Sequence, residues 1–135
     1  MSFILDASIT AAWALPDETS SLADRMLTKA QREGAVAPPL WWYEVRNILV
    51  TAERRKRITA TDADAFLHHL AQLPVQISAL GDGQAILRLA RAHRLSVYDA
   101  AYVELALREQ LPLATLDRDL ARAAASERVK VLSKG

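Results

Sequence analysis

The sequence predicts an α/β fold: a three-layer α/β/α sandwich around a central parallel sheet of about five short strands. Short apolar runs alternate with helix-length segments along the chain, which is the pattern of parallel sheets. The runs at residues 3–5 and 35–37 are apolar throughout, and the run at 113–115 is apolar until Thr115, as expected of strands covered on both faces. The runs at 75–78 and 129–132 include polar residues and therefore suit the edges of the sheet.

The first strand, residues 3–5, ends at Asp6, and a helix is predicted from residue 7 until just before Pro16. The helix predicted over residues 20–33 ends at Gly34, a residue that favours helix termination. The second strand follows directly and is closed by two prolines.

The second half of the chain repeats this alternation. A helix is predicted over residues 40–57, and another begins near Thr61. Asp82, after the third strand, is interpreted as a helix cap. Residues 97–107 are almost wholly apolar and predict a helix buried on most of its circumference, with Glu104 and Arg108 paired on its solvent side. We predict a single domain over residues 1–135.

Four acidic residues follow strands or begin helices: Asp6, Glu44, Asp99 and Asp117. In an open parallel sheet these junctions gather at the carboxyl ends of the strands, where such folds bind ligands. If strands one and four are neighbours, Asp6 and Asp117 lie together. Taken singly, each aspartate is a candidate helix cap and Glu44 a candidate solvent-exposed helix residue. Capping does not require a common edge, so their shared location favours a joint function.

Clustered carboxylates repel one another unless a cation lies between them, and all-oxygen ligands favour Mg²⁺ or Mn²⁺. We predict Asp6 and Asp99 as direct metal ligands, with Asp117 and Glu44 completing a catalytic site, directly or through water. Ser8 and Thr115 are each two residues from an acid and are candidates to hydrogen-bond metal-bound water, and Asn47, on the same helical face as Glu44, is a candidate to orient that acid.

The acids and their neighbours resemble the motifs of PIN-domain nucleases, and most closely those of VapC toxins from toxin–antitoxin pairs. The resemblance rests on Asp6 after Leu5, on Glu44 early in its helix, on Asp99 in a Val-Tyr-Asp-Ala-Ala segment and on Asp117 in Thr-Leu-Asp. Asp119 also lies at the fourth strand's exit, but Asp117 matches the Thr-x-Asp pattern. The resemblance implies Mg²⁺- or Mn²⁺-dependent RNA cleavage, a homodimer and inhibition by a VapB-like antitoxin.

A dense basic segment is the other charged feature of the chain: Arg54, Arg55, Lys56 and Arg57. It suits a helix carboxyl terminus, where cations complement the dipole, and it equally suits contact with RNA phosphates or an acidic antitoxin segment. Two other classes of function remain open. One is a binding module whose acidic pocket receives a basic peptide without turnover, and the other is a phosphoacceptor receiver domain, which would need its acceptor aspartate after the third strand.

Composition excludes several classes of site and location. With 135 residues, of which 51% are hydrophobic and 24% charged, the chain can form an ordinary globular core. It has no cysteine, which excludes disulfides, thiolate metal sites and cysteine nucleophiles. The start of the chain lacks a basic signal-peptide region, and no apolar run reaches membrane-spanning length, so we expect a cytoplasmic protein.

Overall fold

A computed structural model describes residues 1–132, and residues 133–135 of the predicted domain lie outside the described part. The strands are β1 (Ile4–Leu5), β2 (Ala35–Ala37), β3 (Val75–Ile77), β4 (Leu113–Ala114) and β5 (Val131–Leu132). The helices are α1 (Ala7–Ala14), α2 (Ser21–Glu33), α3 (Pro39–Arg54), α4 (Ala60–Leu70), α5 (Gly83–His93), α6 (Val97–Glu109) and α7 (Arg118–Ser126).

All five strands join one parallel sheet in the order β3-β2-β1-β4-β5. The predicted arrangement is confirmed: the three apolar strands are central, and β3 and β5, from the runs predicted at 75–78 and 129–132, form the edges. The chain moves from β1 outward to β3, then returns to β4 beside β1 before continuing to β5. The strand order therefore reverses between β1 and β4, which is where open α/β sheets bind ligands.

The helices cover both faces of the sheet. Right-handed crossovers in the two opposite directions place α1 to α4 on one face and α5 to α7 on the other. The packing agrees, because α1 contacts α2 and α3, and α3 contacts α4, whereas α6 contacts α5 and α7. The three-layer architecture is thus confirmed. None of the helices within residues 1–132 combines the length and apolar character needed to cross a bilayer.

The core lies on both sides of the central strands. Phe3, Ile4 and Leu5 have no exposed surface, and the middle of α6, from residue 102 to residue 106, is buried. Burying one large apolar side chain contributes about 1.5–3 kcal/mol, so the apolar β1 and α6 account for much of the stabilisation. Trp41 also belongs to this core, where its indole N–H donates to Thr10 Oγ1 at 3.0 Å.

Glu104 departs from the expected solvent-facing position on α6. Its predicted pairing with Arg108 is confirmed, at 3.0 Å from Nε to Oε2 and 3.1 Å from Nη2 to Oε1, but Glu104 is buried. The loop between β3 and α5 covers it: Gly81 packs on the carboxylate, and the Asp82 amide donates to Oε2 at 3.4 Å. A long-range contact of this kind leaves no periodicity in the sequence of α6.

The two glycines beside this loop provide a matched pair of substitutions. A Cβ at Gly81 would collide with the Glu104 carboxylate, so we expect Gly81→Ala to disturb the buried ion pair and destabilise the fold by about 1–3 kcal/mol. A Cβ at Gly83 meets nothing within 4 Å, and Gly83→Ala should stabilise α5 by roughly 0.5 kcal/mol. Urea unfolding of both variants measures the difference, and equal midpoints would contradict this role for Gly81.

Candidate active site at the carboxyl edge of the sheet

The site begins where β1 and β4 end side by side. Leu5 pairs with Ala114, and the Asp6 amide donates to the Ala114 carbonyl at 3.2 Å. Asp6 and Thr115 are therefore the first residues beyond the paired strands. The apolar sequence of both strands requires this central position, so the polar residues that follow them emerge together at the switch point.

Asp6 is a buried carboxylate held by two hydroxyls. Only 6% of the residue is exposed, and Ser8 Oγ and Thr115 Oγ1 each donate to its Oδ2 at 2.6 Å. Burial raises the pKa of Asp6, and the two hydroxyl hydrogen bonds oppose that rise. Although Asp6 immediately precedes α1, its side chain does not cap the helix. The capping interpretation is therefore wrong for this residue.

The two hydroxyls connect the loops that follow β1 and β4. Ser8 Oγ and Thr115 Oγ1 lie 3.3 Å apart, and they accept hydrogen bonds from the amides of Leu116, at 2.9 Å, and Asp117, at 3.0 Å. Each hydroxyl donates its proton to Asp6, so both residues hold the carboxylate of Asp6 in place. Because a hydroxyl has one proton to donate, neither group has a second proton for a metal-bound water, and their predicted contact with such a water stays a prediction.

Glu44, in the second turn of α3, reaches across to α6. Its Oε1 accepts the phenolic proton of Tyr102 at 2.6 Å. Burial raises the pKa of Glu44 to about 7, and the negative charges of Asp6 and Asp99 add to the rise. Burial, together with Asp6 and Glu44, also raises the pKa of Tyr102, so its phenol remains protonated and serves as a donor. Glu44 is thus a carboxylate that can hold a proton near neutral pH.

Asp99 and Asp117 approach the same region from α6 and α7. Ser96 caps α6 by accepting the Asp99 amide at 3.0 Å, and the Asp99 carboxylate forms no hydrogen bond or ion pair with any residue in 1–132. Burial raises the pKa of Asp99, as do the charges of Asp117, Asp6 and Asp119. Asp117 does cap its helix, since Oδ1 accepts the amides of Asp119, at 2.9 Å, and Leu120, at 3.2 Å.

Three further predicted details have distinct outcomes. Asp119 is exposed and pairs with Arg122 at 3.3 Å, so Asp117 is the more enclosed of the two candidates at the exit of β4. Asn47 is exposed and forms no hydrogen bond within the described chain, so a contact with Glu44 is not seen. Asp82 caps α5 by accepting the amides of Gln84 and Ala85, as predicted.

The four acids converge electrostatically. Glu44 is affected by Asp6 and Asp99, and Asp99 by Asp6 and Asp117, so each of the four interacts with at least one other across different elements. No three acidic or histidine side chains in residues 1–132 stand in a ready-made metal-binding arrangement. The donors are all carboxylate oxygens, and such a group of negatively charged oxygens at one edge suits a hard divalent cation.

Comparison with known proteins agrees with this architecture. The sequence pattern of the PIN domain matches residues 3–126. The chain belongs to the PIN-domain family. Ribonuclease VapC3 from Pyrobaculum aerophilum is 35% identical over 124 residues, which cover 90% of this chain and 93% of that protein. The predicted resemblance to VapC-type PIN domains is thereby confirmed.

Solved structures share the fold of this PIN domain. The crystal structure of PAE2754 from Pyrobaculum aerophilum superposes with a TM-score of 0.72 at 26% identity, covering 91% of this chain and 86% of that chain. A toxin–antitoxin complex from Klebsiella pneumoniae contains a chain with a TM-score of 0.63 at 18% identity, covering 89% of this chain and 91% of that chain. The second similarity concerns the fold alone.

Tyr102 is the site residue that the sequence analysis missed. It lies three residues after Asp99 and therefore on a neighbouring part of the same helical face. A buried tyrosine requires a partner for its hydroxyl, so its position in an apolar helix beside an acid was an available signal. Its partner, Glu44, comes from a helix on the opposite face of the sheet, which no local pattern identifies.

The basic segment lies away from the acids. Arg54 ends α3, ten residues beyond Glu44, which places it about 15 Å farther along the helix axis. Arg57 is engaged with Asp17, at 2.6 Å, and with Glu18, at 3.3 Å. Contact of this segment with RNA or antitoxin remains a prediction. Along α3, the segment is separated from the acidic cluster by the length of the helix between Glu44 and Arg54.

The raised pKa of Glu44 predicts how stability depends on pH without a divalent cation. Because the folded state binds this proton more tightly than the unfolded state, the stabilisation is complete below about pH 4.5 and is lost as the pH rises through about 7. In chelator, we expect a higher melting temperature at pH 5 than at pH 8, and a smaller difference for Glu44→Gln. Glu109→Gln, at an exposed position on α6, is the control; an equal change in both variants would contradict the prediction.

Proposed function

We propose that this PIN domain is a metal-dependent endoribonuclease that hydrolyses RNA phosphodiester bonds and acts as the toxin of a toxin–antitoxin pair. The observation that carries the proposal is the convergence of Asp6, Glu44, Asp99 and Asp117 at the switch point of the sheet. The relationship to Ribonuclease VapC3 over most of both chains supports the reaction class.

In this proposal, Asp6, Asp99 and Asp117 bind Mg²⁺ or Mn²⁺. The cation would lower the pKa of a bound water and neutralise charge that develops on the phosphate. Asp6 is positioned for this role by Ser8 and Thr115, which fix one of its oxygens. Asp117 is fixed in the same way because Oδ1 is held by the first turn of α7.

Glu44 acts as the general base in this scheme. A carboxylate whose pKa lies near neutrality can accept a proton from the attacking water and release it afterwards. The Tyr102 phenol keeps Glu44 oriented toward the cluster and stabilises its ionised form. Tyr102 is therefore a positioning residue, since it acts through Glu44.

Substitution of the proposed ligands tests this function. We expect Asp6→Asn and Asp99→Asn each to reduce RNA cleavage by at least about 100-fold and to weaken Mn²⁺ binding, while the fold is retained. In chelator, the melting temperature of Asp99→Asn should rise, because one charge is removed from a repulsive cluster. The measurements are gel-based cleavage, calorimetric Mn²⁺ titration and thermal unfolding.

Asp64→Asn, at an exposed site on α4, is the matched control and should cleave RNA like the parent chain. Full activity in Asp6→Asn or Asp99→Asn would refute the nuclease proposal. Metal binding without any cleavage by the parent chain would favour the binding-module alternative. The receiver alternative lacks its acceptor, because Ser78 follows β3 and Asp82 caps α5.

We further infer that a VapB-like antitoxin binds this toxin in the cytoplasm. The acidic cluster attracts guanidinium groups, since arginine donates to carboxylates in a rigid fork. A groove of about 450 Å³ beside α2 and α4 is suited to an amphipathic helix. Its apolar lining consists of Trp13, Leu27, Phe66, Leu70 and Leu73.

Competition with the cation tests inhibition at the acids. We expect Mg²⁺ to weaken binding of the antitoxin's carboxyl-terminal peptide, taken from the neighbouring reading frame, and Asp99→Asn to weaken it even in chelator. Calorimetry at constant ionic strength measures both effects, with Asp64→Asn as the control. Affinity that is insensitive to the metal and to Asp99 would place inhibition elsewhere.

We also propose a homodimer. Trp42, Tyr43 and Val50 leave much of their surface exposed along one face of α3, and exposed apolar patches commonly mark protein interfaces. The Arg46 guanidinium lies 3.6 Å from the centre of the Trp42 ring, within this face. Light scattering at micromolar concentration should give twice the monomer mass of 14.9 kDa, and Tyr43→Asp should reduce it. A monomeric parent chain would refute the assembly.

A further inference from the structure

A second charged feature lies beside the acidic cluster, on the α5–α7 side of the sheet. A cleft of about 290 Å³ opens between the end of α5 and one side of α7. Its lining residues are His93, Arg94, Asp119, Arg122, Ala123 and Ser126. The proposed hydrolysis uses none of these side chains.

The cleft carries available positive charge. Arg94 is exposed and forms no hydrogen bond or ion pair within the described residues. Among residues 1–132, the partner of Arg122 is Asp119, and the two side chains are 74% and 78% exposed. Water therefore screens their attraction, and a competing anion can replace Asp119. His93 hydrogen-bonds with Glu127 at 2.7 Å. Two arginines thus face one aspartate, and arginine is well suited to binding phosphate in two-point contacts.

The cleft also adjoins the carboxyl edge of the sheet. Arg94 follows the last residue of α5 and has the left-handed backbone conformation, with φ of 54°. Asp99 is the fifth residue after it in the sequence. On the other side, the Asp119 amide donates to Asp117 Oδ1 at 2.9 Å, and the charge of Asp119 contributes to the raised pKa of Asp99. Asp119 therefore borders both the acidic cluster and the cleft.

An RNA strand bound at the acids must place its neighbouring phosphates on adjacent protein surface. The acids themselves repel those phosphates, so a flanking basic surface is required for affinity. Arg91 and Arg118, which are close in sequence to the lining residues Arg94 and Asp119, are exposed as well. The basic segment at the end of α3 does not meet this need, because it lies about 15 Å along the helix from Glu44.

We propose that Arg94 and Arg122 bind a backbone phosphate of the substrate RNA next to the bond that is cleaved. This inference rests on the proposed endoribonuclease function. Contacts of this kind position the strand without reading its sequence. Arg94 and Arg122 are thus binding residues for RNA in general, and the affinity they supply should depend strongly on salt concentration.

RNA binding can be measured apart from cleavage. In an Asp99→Asn background with chelator present, fluorescence anisotropy of a labelled single-stranded oligouridylate gives the affinity at several salt concentrations. We expect Arg94→Ala and Arg122→Ala each to weaken binding by about fivefold and to reduce the salt slope by about 0.7. Arg94→Lys should retain part of the affinity, because it keeps the charge and loses the fork.

Arg32→Ala is the matched control. Arg32 is an exposed arginine in the last turn of α2, within the opposite helical layer. Its substitution removes the same charge as the cleft variants do. The affinity of the Arg32→Ala variant for the oligouridylate should change less than twofold. Equal losses in Arg32→Ala and the cleft variants, unchanged affinity in both cleft variants, or absence of RNA binding by the background would overturn the proposal.

The failure of the nuclease function would be seen separately. Cleavage is measured with the parent chain and Asp6→Asn in Mg²⁺, and it does not depend on the cleft variants. If the parent cleaves RNA and Arg94→Ala binds it unchanged, the phosphate site alone is wrong. If Asp6→Asn cleaves like the parent while the cleft variants lose affinity, the catalytic assignment is wrong and the RNA-binding surface stands.

Discussion

The site depends on the burial of Asp6 at the point where β1 and β4 end together. A buried carboxylate is costly unless donors surround it, and here the donors come from the loops that follow both strands. Ser8 and Thr115 therefore couple the position of this acid to correct pairing of two strands that are distant in sequence. The amides of Leu116 and Asp117 bind the same hydroxyls, so the exit of β4 is fixed by the same network.

Three of the clustered acids also oppose folding when they are ionised. Burial raises the pKa of Asp6, Glu44 and Asp99, and repulsion by neighbouring carboxylates adds to the rise for Glu44 and Asp99. The apolar core of β1 and α6 must offset this cost when no cation is bound. A cation that binds the folded state alone would then stabilise the chain through linkage as well as complete the site. Strain concentrated at a functional centre is a common property of enzymes.

Much of the fold could be predicted because its strands differ in burial. Largely apolar runs identified the central strands, and Gln76 and Lys130 identified the edge runs, so the division into central and edge strands followed from simple rules. The four acids could be placed at one edge for the same reason. Their contacts could not be predicted: Glu44 meets Tyr102 across the sheet, and Glu104 is buried by a loop that begins 26 residues earlier, at Ser78. Such contacts depend on tertiary packing, whereas periodicity reports only local geometry.

The dispersal of the acids along the chain has a consequence for synthesis. Asp6 is translated before the other acids of the cluster. Its carboxylate is held by both hydroxyls only after β1 has paired with β4 and Thr115 is in place. The acids of the cluster arrive at residues 6, 44, 99 and 117. A nascent chain therefore cannot assemble the site before Asp117 has been translated. For an enzyme that attacks RNA, this ordering would protect the translating ribosome and its message from the unfinished product.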